Sequence, residues 1–212
     1  MHAGVNPFSA QRMHALPFVF ADGESCDELS ERYWRGVAAG WRRQVLSGPH
    51  GSGKSTLLRE LGAVWAAQGC QVGWLDGGES HGRVRAWQDL AGAAVRRDSG
   101  ASGAGELAGR SVLLVDSGER LRTATWLRLW WSWGRCPALV TVHREWGQRV
   151  LYRCRPRLEV FLALCDRLLR EPGGGERLAW DRESLERVFA EHGGDMRASF
   201  FALYERAAGA GS

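Results

Sequence analysis

"GPHGSGKST" (residues 48–56) decides how this chain reads, and it contains Lys54, the only lysine among otherwise arginine-supplied cations. The stretch fits G-x-x-x-x-G-K-[ST] at Gly48, Gly53, Lys54 and Ser55, with Pro49, His50, Gly51, Ser52 and Thr56 completing the loop. Gly48, Gly51 and Gly53 let the backbone turn tightly and aim its N–H groups inward at phosphate oxygens. A helix beginning near Lys54 brings the positive end of its dipole to the same point. Lysine is a compact, mobile cation that reaches β- and γ-phosphates where a planar guanidinium fits poorly. A chain that favours arginine therefore keeps lysine where the chemistry asks for it. The hydroxyl of Ser55 suits Mg²⁺. A chance glycine-rich turn would lack the flanking context, and here that context is present.

Upstream, "RQVLS" (43–47) reads as a short strand feeding the loop; downstream, "STLLRELGAVWAAQG" (55–69) has helical apolar spacing and a glycine stop. "CQVGWLD" (70–76) alternates like a strand, and "HGRVRAWQDLAGAAVRR" (81–97) predicts a helix. "DSGASGAGELAG" (98–109) is a Gly/Ser-rich loop. "SVLLVD" (111–116) and "PALVTVH" (137–143) are continuous apolar runs, as in parallel strands buried on both faces. "RVLYRC" (149–154) predicts a last short strand. Before the sheet, residues 6–25 read as an irregular arm and 26–41 as a first helix. After it the pattern is helical: 156–170, a "PGGG" break, 181–193 and 195–207. The expected fold is α/β, a P-loop NTPase three-layer sandwich with a mostly parallel sheet, followed by a small helical subdomain. The expected divisions are 1–42 (arm and helix), 43–154 (nucleotide-binding core) and 155–212 (lid-like helices).

A P-loop needs a carboxylate at the end of a neighbouring strand to hold Mg²⁺, and "VLLVD" supplies Asp116. The next residue is Ser117 rather than an acid, so Glu119 is the nearest candidate for polarising an attacking water. A surface role at the start of the following segment is the alternative for Glu119. Thr141 or His143, ending "PALVTVH", would sense the γ-phosphate or orient water, although a strand-end threonine is often only structural.

Composition sets wide bounds. The 212 residues carry a net charge of +4 with 44% hydrophobic and 25% charged residues, which suits a globular chain with a sizeable core. The basic bias is compatible with polyanions but too weak to argue for them. Five cysteines (Cys26, Cys70, Cys136, Cys154, Cys165) are scattered without C-x-x-C spacing, offering neither a zinc cluster nor a disulfide framework. No apolar run approaches the ~20 residues that span a bilayer, and "LPFVFA" (16–21) is too short for a signal-peptide core. The expectation is a cytoplasmic protein without a membrane segment.

Taken together, the "GPHGSGKST" loop, the "VLLVD" strand with its nearby acid and the polar end of the next strand resemble the AAA+ superfamily of P-loop ATPases. "NPF" (6–8) is similar to the start of some bacterial members. "HGGDMRASFFALYERA" (192–207) looks like the lid helix that carries sensor 2, where G-D-x-R falls on Gly194, Asp195 and Arg197. The resemblance implies ATP and Mg²⁺ as ligands and Arg197 as a residue facing the nucleotide. Two departures stand out. The usual D-E pair reads D-S, which leaves the catalytic glutamate displaced or absent. The stretch between residues 143 and 149 is too short for the helix bearing the family's arginine finger, so a hexameric ring is not implied.

Two other functions fit parts of the pattern. A small-molecule kinase could clamp phosphate with Arg153, Arg155 and Arg157, but no second acidic cluster is evident for activating an acceptor. A nucleotide-bound switch without turnover fits the missing adjacent glutamate. "TWLRLWWSWG" (125–134) lines up Trp126, Trp130 and Trp133, with Leu127 and Trp131 beside them. Core packing against the sheet explains most of that stripe, and its width leaves room for a protein partner. Stacking on nucleic-acid bases has no independent support in the sequence.

Overall fold

The computed structural model describes residues 6–77, 85–86, 106–121, 136–145, 147–170 and 180–209. The predicted tryptophan-rich helix, the "PGGG" break and most of the segment 81–97 lie outside these residues. By contact, the chain divides into two compact units. One comprises residues 24–48 and 54–154; the other comprises 1–23, 49–53 and 155–212. The arm therefore groups with the C-terminal helices, whereas the helix expected beside it groups with the sheet.

In the sheet unit the strands are β1 (Arg43–Ser47), β2 (Gln71–Asp76), β3 (Arg85–Ala86), β4 (Ser111–Asp116), β5 (Ala138–Val142) and β6 (Arg149–Arg153). Their order is β3-β2-β4-β5-β1-β6. Five of them run parallel, and β3 is a two-residue antiparallel edge against Gly73 and Trp74. This corrects the predicted helix over 81–97 at Arg85 and Ala86, where pairing to a sheet edge overrides helical spacing. The fold is thus α/β, a parallel sheet flanked by helices.

Helices α2 (Cys26–Ala38) and α3 (Lys54–Ala67) pack together, with α3 against β1, β2, β4 and β5 and α2 against β6. Ser25 and Glu28 cap α2 reciprocally: the Ser25 Oγ accepts from the Glu28 amide, and Glu28 accepts from the Ser25 amide. Tyr33, Trp34 and Trp65 form the aromatic centre, with centroids 4.7–5.7 Å apart. Trp65 Nε1 donates to Ser30 Oγ at 2.7 Å, so the indole enters the core with its polar atom satisfied. Gln44 is buried in β1 and donates to the Tyr33 carbonyl. Gly36 makes room for it, because a Cβ there would stand 2.8 Å from Gln44 Nε2. The opposite set of strand side chains, among them Val45, Leu113, Val115, Val140 and Val142, forms a second apolar cluster.

In the other unit, helices α4 (Leu158–Arg170), α5 (Arg182–Glu191) and α6 (Met196–Gly209) share a core with Phe8 and Leu16 of the arm. The arm is not wholly irregular, since Ala10–His14 forms a short helix, α1. Asn6 explains the "NPF" stretch structurally. Its Oδ1 accepts from the Phe8 amide and its Nδ2 donates to the Tyr204 carbonyl, both at 2.9 Å. Phe8, fully buried, then meets Trp180 edge-on and packs beside Phe200. Among the described residues no helix is long and apolar enough to cross a membrane.

Candidate functional site

The carboxyl ends of β1, β4 and β5 bring the sheet unit's predicted residues together. β1 ends at Ser47, Gly48 follows, and α3 begins at Lys54. Lys54 Nζ donates to the Gly48 carbonyl at 2.7 Å, so the lysine folds back over the residue that opens the loop. Lys54 is buried, and burial lowers its pKa from the usual lysine value, opposed by the Glu119 and Asp116 carboxylates. Burial in turn pushes the Cys154 thiol up to about 12, which leaves it un-ionised near neutrality.

Asp116 is the centre of a second group. Its Oδ1 accepts from Ser55 Oγ at 2.9 Å, from Thr141 Oγ1 at 2.8 Å and from the Ser117 amide at 3.0 Å. The Asp116 strand is not the direct neighbour of the loop's strand, as expected, because β5 lies between β4 and β1. That interposition is why Thr141 touches Asp116. Ser55, in the first turn of α3, nevertheless reaches Asp116 directly.

After Asp116 the chain turns sharply. Ser117 has φ 54° and ψ 48°, the only positive φ outside glycine among the described residues. Such a conformation costs about 1–2 kcal/mol in a residue bearing a Cβ. It is held by the Ser117 amide, which also donates to Thr141 Oγ1 at 2.7 Å. Gly77 gives the turn its space, because a Cβ there would lie 2.2 Å from the Ser117 carbonyl oxygen. A 3-10 turn at Gly118–Arg120 follows, and Glu119 Oε1 arrives 3.0 Å from His143 Nε2. The other ring nitrogen, His143 Nδ1, is 3.3 Å from Lys54 Nζ and 3.3 Å from the Gly48 carbonyl. Glu119 is thus joined to the loop lysine through one imidazole.

The middle of the loop belongs, by contact, to the helical unit. Ser52 is buried and its hydroxyl donates to the Pro49 carbonyl at 2.9 Å, closing the turn; His50 is exposed. Gly51 has φ +70°, and a Cβ on it would stand 2.4 Å from Asp195 Oδ1 and 3.1 Å from the Arg197 amide. Gly53, at φ +82°, lies against the ring of Phe18. Asp195 caps α6, accepting from the Arg197 and Ala198 amides at 2.9 and 3.0 Å. Gly193 and Gly194 close α5 in left-handed conformations. Arg197 is exposed in the first turn of α6, where a cation opposes the helix dipole. Its two nearest acids in sequence are engaged elsewhere: Asp195 with the helix amides, and Glu191 with Arg206 at 3.0 Å. Thr56 follows Ser55 in the first turn of α3, half-buried.

The donor set at Ser55 and Asp116 is one hydroxyl and one carboxylate. That fits Mg²⁺, which takes few protein oxygens and keeps much of its water. Among the described residues, no group of three or more His, Cys, Asp and Glu is disposed to hold a metal by itself. The imidazole link and the left-handed Ser117 escape a reading by motif, since neither has a spacing signature. The one available hint is the D-S pair, which puts no acid directly after Asp116. No protein-family model matches the chain, and no curated protein matches it.

Proposed function

We propose that this chain is an ATP-binding protein of the P-loop class, a Mg²⁺-dependent AAA+-like ATPase or ATP-driven conformational switch. The observation that carries the reading is the hydrogen bond between Ser55 and Asp116, 2.9 Å long and spanning 61 residues of sequence. It pairs the hydroxyl at the end of the glycine loop with the acid at the end of a buried strand. Lys54 swings from the Gly48 carbonyl to the β- and γ-phosphates, and the loop amides receive phosphate oxygens. Ser55 and Asp116 hold Mg²⁺, whose charge offsets that of the phosphates when it is bound. Arg197, beside Gly51, reads the γ-phosphate, and Glu119 orients the attacking water. Thr141 keeps Asp116 in its rotamer.

The switch without turnover is the second reading, favoured by one observation: Glu119 reaches the loop through His143 rather than from the position next to Asp116. The kinase reading weakens because Arg153 is held by Glu145 in a two-bonded pair. Equilibrium binding of ATP with Mg²⁺ tests the main reading. Lys54→Ala removes the charged phosphate contact and is expected to weaken binding by at least ~2 kcal/mol. Equal affinity in the variant would sink the phosphate-loop assignment. ATP turnover, assayed with and without DNA, then separates ATPase from switch.

A further inference from the structure

The geometry points to His143 as a positioning residue that reports the state of Lys54 to Glu119 by taking up a proton when nucleotide binds. The inference rests on the ATP-binding reading above. The ring meets the Lys54 ammonium from α3, the Gly48 carbonyl from the loop, and the Glu119 carboxylate from the 3-10 turn. Glu119 can only accept when ionised, so Nε2 carries a proton. Nδ1 stands 3.3 Å from an ammonium that can only donate, so it serves as the acceptor. The bonding pattern therefore selects the neutral ring. A second proton on Nδ1 would set an imidazolium against Lys54 in a part-buried place.

Phosphate removes that obstacle. When Lys54 leaves for the β- and γ-phosphates, Nδ1 loses that donor and keeps the Gly48 carbonyl, an acceptor, at 3.3 Å. Nδ1 then takes one proton from solvent. The resulting imidazolium donates to Gly48 on one side and to Glu119 on the other, holding the carboxylate beside a loaded loop. The sign follows directly. A ring that binds its proton more tightly in the complex makes affinity highest at low pH, and that gain disappears as pH rises through the ring's titration in the complex.

Two measurements test this. Calorimetric titration of a non-hydrolysable ATP analogue with Mg²⁺, in buffers of different ionisation enthalpy near pH 7, counts the protons exchanged. Wild type is expected to take up a fraction of a proton more than His143→Gln does. Equal proton counts in the two proteins would overturn the proposal while leaving the nucleotide reading intact. Failure of wild type to bind the analogue would overturn both. Should His143→Gln not fold, imidazole titration by NMR without nucleotide decides the matter. Lys54→Met is expected to move the His143 midpoint upward by about one pH unit, since a neighbouring cation is gone. An unmoved midpoint would refute the link.

Discussion

Asp116 and Glu119 are both carboxylates near one loop, yet their surroundings ask for different behaviour on substitution. Asp116 is buried, and three donors converge on one of its oxygens. Asp116→Asn keeps the shape but brings an amide among donors, so Mg²⁺-dependent ATP binding is expected to fall by about tenfold or more. Glu119 is exposed at the turn and pairs with His143. Glu119→Gln is expected to leave ATP affinity within about twofold and to lower turnover by 10²-fold or more, as removal of a general base does. Single-turnover hydrolysis alongside equilibrium binding separates the two effects. Equal turnover in Glu119→Gln and wild type would remove Glu119 from the chemistry. Arg197 belongs at this scale too. Arg197→Ala is expected to weaken ATP binding more than ADP binding, and equal effects on the two would return it to an ordinary surface role.

Elements meet closely where the loop reaches α6. Gly51 combines a left-handed φ with a contact that a methyl group cannot share, because Asp195 Oδ1 and the Arg197 amide occupy its place. This glycine is thus specified twice, by backbone conformation and by the helix cap beside it. Gly51→Ala is expected to destabilise the protein by about 1–3 kcal/mol. Asp195→Ala costs about 1 kcal/mol through the lost cap. The double variant is expected to lose less than the sum, since removing the carboxylate opens space for the methyl group. Urea unfolding of the four proteins measures the coupling, and strict additivity would show that the close approach costs nothing. Sequence reading found the two helices over 181–193 and 195–207 and the break between them, because those depend on residues within a few positions. It did not find Gly51 against Asp195, whose separation of well over a hundred residues leaves no periodicity to read.

At the scale of the whole molecule, the arm is part of the helical core. Phe8 is fully buried among side chains from near the other end of the chain. Phe8→Ala is expected to cost about 3–5 kcal/mol, as large-to-small changes of buried phenylalanines do. Hydrogen exchange is the informative measurement: the loss of protection should concentrate in α4, α5 and α6. Protection lost equally across the β-sheet would mean that the two units unfold as one. The sequence by itself determined the strands β1, β2, β4, β5 and β6 and the glycine loop between β1 and α3. Those features are local, written in apolar runs and in glycines at fixed spacing. Tertiary structure alone decided the strand order that inserts β5 between the loop and Asp116. It also decided the β3 edge in place of helix at Arg85–Ala86, and the imidazole that joins Glu119 to Lys54. Each of these depends on segments far apart in sequence being packed side by side, and spacing along one chain carries no record of which neighbour a strand end will meet.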